Sequence, residues 1–122
     1  RRIPGADLAQ IIAISLTAIY EYADNHPGVL RAAMTDQMVI DADGVEVLPL
    51  LMQWGMEWAE MVRELARDGG ACASYDADII GQAIVGALHQ ASRECHSAGR
   101  CRETLVKNLT RFLTRALKPD QN

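Results

Sequence analysis

No apolar run in the 122-residue sequence approaches the ~20 residues of a membrane span. No h-region of a secretory signal is read at its start, where trimming of a longer chain would have removed one. Cysteine is scarce and odd in number. Cys72, Cys95 and Cys101 show no metal-ligand spacing, which argues against a secreted disulfide scaffold and fits a reducing cytoplasm. Basic charge is also short, with 12 Lys and Arg against 16 Asp and Glu, for a net charge of −4. Duplex DNA repels that balance, so this chain is not expected to bind nucleic acid by itself.

Catalytic groupings are missing too. His26 adjoins a turn proline, where helix capping is its expected role. His89 and His96 lie seven apart with the Arg93 cation between them, and no Asp, Glu or Cys completes a ligand set. Asp41-x-Asp43-Gly44-x-Glu46 lacks the spacing of a calcium loop. Cys95 and Cys101 flank a tight turn; burial is the expected fate of such thiols, with a redox switch as the lesser reading. No catalytic residue, metal ligand or cofactor is therefore expected.

What is present is helical pattern. Hydrophobic residues make up 49% of the chain, enough for one domain that folds without a staple. Residues 1–5 read as a linker stub, 6–118 as the domain and 119–122 as a tail. The stub gives the expectation of a piece trimmed from something longer. Five helices and no strand are predicted. The first spans about residues 6–24, with Leu8, Ile11, Ile12, Ser15, Ile19 and Tyr22 on its buried face. Asn25-His26-Pro27-Gly28 breaks it, and Pro27 restarts a second helix over 27–38. Residues 41–44 form a loop. The third helix spans about 45–68, and Pro49 is tolerated only if the helix starts close to it. Its polar stripe Gln53, Glu57, Glu60, Glu64 and Arg67 leaves a broad apolar arc, as in a central helix touched from several sides. Gly69-Gly70 ends it. Ser74 or Asp76 caps a fourth helix running to about residue 96. A short turn leads to the fifth helix, 102–117, so the last two helices form an αα-hairpin.

Four of these features belong together. They are the His26-Pro27 restart, the long helix ending in Arg67-Asp68-Gly69-Gly70, the capped helix carrying Ala83-Ile84-Val85-Gly86-Ala87-Leu88, and the closing helix Leu105-x-x-x-Leu109-x-x-Phe112-Leu113-x-x-x-Leu117. In this order they resemble the C-terminal domain of the TetR family of bacterial transcriptional regulators, over nearly the whole chain. The family's N-terminal helix-turn-helix is missing here. The resemblance implies a cytoplasmic homodimer in which the last two helices pair across a two-fold axis as a four-helix bundle. It also implies an effector pocket among the inner helices, and DNA binding only through a domain outside this chain.

Two surfaces are candidates for those roles. Ala83, Ala87 and Ala91 stand four apart with Gly86 and Gln90 beside them, and small residues let another backbone approach. The partner would be a second copy, or the stripe fits a tight hairpin within one subunit. The last helix offers two apolar faces, Leu105/Leu109/Phe112/Ala116 and Val106/Leu113/Leu117, one for the core and one for a partner. All five methionines and both tryptophans fall between Met34 and Met61. Met34, Met38, Trp54, Trp58 and Met61 suit an adaptable apolar pocket, or an ordinary core that uses methionine as filler. Tyr20, Tyr22, Gln53, Glu57 and His89 are the polar groups placed to orient a small, largely apolar effector. The rival readings are a helical dimerisation or adaptor domain without a ligand, and a small helical enzyme.

Overall fold

A computed structural model describes residues 7–28, 39–40, 43, 46–47 and 50–119. Four helices make up most of them: α1 (Leu8–Asn25), α2 (Leu50–Arg67), α3 (Ala77–Ser97) and α4 (Arg102–Leu117). The fold is all-α. Pro27 and Gly28 are helical, as the restart predicts, and the rest of the helix expected over 27–38 lies outside the described residues.

The expectation of no strand needs correcting. Val39–Ile40 (β1) and Glu46–Val47 (β2) pair antiparallel, with Val39 opposite Val47 and Ile40 opposite Glu46. The third predicted helix therefore starts five residues late. Pro49 biases the residue before it away from helical geometry, and the β-branched residues around it favour an extended chain. α2 then begins directly after the proline, at Leu50.

Local chemistry sets the other helix ends. Asp7 caps α1 through a capping box, accepting from the Gln10 backbone while the Gln10 side chain accepts from the Asp7 backbone. Asp76 caps α3 by accepting from the backbone N–H groups of Asp78 and Ile79. Gly69 closes α2 at φ +80°, in the left-handed region that favours glycine, and the Gly70 N–H returns to the Leu65 carbonyl.

α2 and α3 form the most extensive pair, running antiparallel; α1 and α4 form the next. The α2–α3 crossing is close because two glycines and an alanine meet there. A Cβ on Gly81 would lie 2.7 Å from the Ala59 backbone nitrogen, and closer still to the Gly55 carbonyl oxygen. Exposed Arg63 reaches Asp78 at 3.3 Å beside the same crossing. α4 runs back towards the loop before α3: the Tyr75 hydroxyl donates to the Ala116 carbonyl, and the Cys72 N–H to that of Leu117.

The core lies where all four helices converge. Ile12 and Leu16 of α1, Val62 of α2 and Leu117 of α4 are almost fully buried. On α1 the buried side is turned from the one predicted. Leu16, Tyr20 and Ala23 go inside with Ile11 and Ile12, while Tyr22 is exposed. The cause is a second contact: α4 covers one flank of α1 while α2 and α3 cover the other. No helix among the described residues is long and apolar enough to cross a membrane.

Candidate ligand pocket

A cavity of about 540 Å³ opens between α1, α2 and α3. Seven of the residues singled out from the sequence line it: Tyr20, Tyr22, Trp54, Glu57, Trp58, Met61 and His89. Gln53 is half-buried on α2 and is not among the lining residues. Met34 and Met38 lie outside the described residues. Ser15, Ile19 and Ser92 are also part of the wall. Ile19 and Ser15 could be read only as part of an apolar helix face, because nothing in the pattern of one helix tells core from cavity.

The helix geometry explains the convergence. Trp54, Trp58 and Met61 recur at helical spacing along α2 and point to one side. Val85, Leu88, His89 and Ser92 follow the same rule on α3 and face them across the crossing. The two tryptophans differ in depth. Trp58 is 5% exposed and belongs to the core cluster, whereas Trp54 only packs against it.

The polar groups of the wall fall into two kinds. Tyr20 and Ser92 already have partners: the Ser92 hydroxyl donates to the Leu88 carbonyl at 2.6 Å and accepts from the Tyr20 hydroxyl at 2.8 Å. Burial pushes the Tyr20 phenol above its ordinary pKa, which keeps it a donor. The Tyr20 ring lies under the Arg102 guanidinium, 4.5 Å from its carbon, and Arg102 also pairs with Asp24. Tyr20 thus ties α1 to α3 and α4 at once. His89 and Glu57 are of the second kind. Among the described residues the buried His89 Nε2 has no hydrogen-bond partner, and Glu57 has no ion pair or hydrogen bond. A buried nitrogen without a partner costs about 1–3 kcal/mol, an expense a ligand group would recover.

Tyr20→Phe should therefore lower stability by about 1 kcal/mol, since one buried hydrogen bond is lost while the ring and its cation contact stay. A urea unfolding midpoint reads the change. An unchanged midpoint would mean that the Ser92 contact contributes nothing.

A second, larger cleft of about 690 Å³ runs along the outside between α1 and α4. Its rim mixes Glu21 and Asp24 with Arg102, Lys107 and Arg111, and it has no aromatic side chain other than Tyr20. The inner cavity is the better ligand site because its wall holds both tryptophans, whereas the outer cleft is bordered mainly by charged and small side chains.

The residues predicted for the dimer surface divide. Ala83, Gly86, Gln90 and Ala116 are exposed, Phe112 is 60% exposed, and Ala87 and Ala91 are half-buried. Leu105 and Leu109 are not available to a partner, because with Leu113 and Leu117 they fill the protomer core at steps of four. The two faces read on this helix are thus recombined, with Phe112 and Ala116 left outside. Ile79, 67% exposed, extends the outward stripe of Ala83, Gly86 and Gln90 on α3. No disulfide joins the three cysteines; Cys72 and Cys95 are buried and Cys101 is exposed. A hydrogen bond with Thr104 holds the Cys101 thiol below its ordinary pKa.

Comparison with family models, with curated proteins and with solved structures returns no match.

Proposed function

We propose that this chain is the ligand-sensing and dimerisation domain of a TetR-like bacterial transcriptional regulator, acting in the cytoplasm. The observation that carries the proposal is the inner cavity, which two tryptophans, a methionine, Glu57 and His89 line between three helices. A small, largely apolar effector fits such a wall. The exposed apolar stripe on α3, with Phe112 and Ala116 on α4, supports a homodimer joined through the last two helices. DNA would be read by a domain outside this chain, since its own charge is −4.

The coupling follows from Tyr20. An effector lodged against Ile19, Tyr20 and Tyr22 loads α1 directly, and Tyr20 passes the load to α3 and α4 through Ser92 and Arg102. A ligand that binds one α1 tilt more tightly than another shifts the dimer between two arrangements. In a parent protein that shift would change the separation of two DNA-reading heads.

The neutral dye Nile red, which brightens in apolar surroundings, tests the pocket. Wild-type protein should bind it saturably, and Trp54→Ala should weaken binding while leaving the oligomeric state unchanged. Dimerisation without any saturable dye binding would favour the rival reading, a helical adaptor domain with no ligand.

A further inference from the structure

We infer that the pocket selects a lipophilic ligand that carries a positive charge. The inference rests on reading the cavity as an effector site, and it adds the ligand's chemical class.

Charge is the first argument. Glu57 lines the cavity, is solvent-exposed and makes no ion pair among the described residues. No lysine or arginine stands among the described lining residues. An anionic ligand would meet an unbalanced like charge. A neutral one would draw nothing from the carboxylate. A cation gains that attraction, which the ring faces beside Glu57 reinforce.

The aromatic wall is the second. Trp54 and Trp58 bring indole rings to the wall, and the negative quadrupole of such a ring attracts cations. The protein already uses this chemistry where Arg102 sits over Tyr20 on the outer side of α1. The Tyr20 ring is engaged there and the Tyr22 ring is stacked on His26, so the two indoles are the rings left for a ligand.

The third argument is the accounting of polar groups. The Tyr20 and Ser92 hydroxyls are engaged with each other, and the Ser15 hydroxyl is directed at the Met61 sulfur, 3.8 Å away. Glu57 is left. A carboxylate only accepts, so it calls for a ligand that donates, as a protonated amine or amidine does.

The test is displacement of Nile red by tetraphenylphosphonium and by tetraphenylborate, two ions of similar shape and opposite charge. The phosphonium should displace the dye at a concentration about tenfold lower. Glu57→Gln should weaken the phosphonium by roughly tenfold and close the gap, and Glu57→Lys should reverse the preference. Equal displacement by both ions, or a gap unchanged in Glu57→Gln, would overturn the inference and leave the pocket itself standing. Failure of wild-type protein to bind the dye at all would remove the pocket reading and this inference with it.

Discussion

Gly81→Ala is expected to lower stability by about 3 kcal/mol, the upper end for forcing one extra carbon into a packed interface. The added carbon would meet backbone rather than a movable side chain: the Gly55 carbonyl, the Ala59 nitrogen and, at 2.8 Å, the Ala59 Cβ. Relief requires α2 and α3 to separate, and that loosens the Trp58, Val62, Ile84 and Val85 packing on which the core depends. Against a total stability of ~5–15 kcal/mol, such a loss moves the unfolding midpoint well outside error. Gly86→Ala is the contrast on the same helix. Gly86 has nothing within 4 Å, so alanine there should raise protomer stability by up to about 1 kcal/mol through helix propensity alone. Urea unfolding followed by circular dichroism compares the two. A Gly81→Ala protein as stable as wild type would show that the helices do not cross this closely.

Trp58→Ala should cost about 3–5 kcal/mol, as for a large aromatic removed from a core. Trp54→Ala should cost far less, since Trp54 is only partly buried. Ligand binding should rank them less steeply, because both rings line the cavity. Trp54 is therefore the cleaner probe of the pocket. Loss of dye binding in Trp58→Ala has meaning only alongside its stability. If the two substitutions destabilised the protein equally, the division between core and pocket tryptophan would be wrong.

Helices with a strong period and chemical end signals could be read from the sequence. α4 was expected over 102–117 and is found as Arg102–Leu117, between a short turn and Pro119. Asp76 was named as one of two caps for α3 and is the one used. Glycine marked the end of α2. The β1–β2 pair was missed because two-residue strands leave almost no periodicity, and only Pro49 hinted at it. The side of α1 that goes inside was misread because a single helix does not show that two neighbours will cover it. The α2–α3 crossing was missed as well. Gly55, Ala59 and Gly81 are ordinary residues until antiparallel packing brings them opposite each other. Seven pocket residues were found through residue type, since aromatic and polar groups stood out on helix faces. Leu105 and Leu109 were misassigned to the outer surface because Phe112 shares part of their face. Only the position of α1 and α3 decides which of them goes inside.

A sensor that moves two DNA-reading heads must pair before any effector arrives. Sedimentation equilibrium of this chain over a wide dilution series measures that directly. The predicted result is a dimer that persists on dilution and that Phe112→Asp converts to a folded monomer, because Phe112 is exposed and outside the protomer core. A monomer at every concentration would contradict a paired sensor, and a dimer indifferent to Phe112→Asp would contradict pairing through the last two helices.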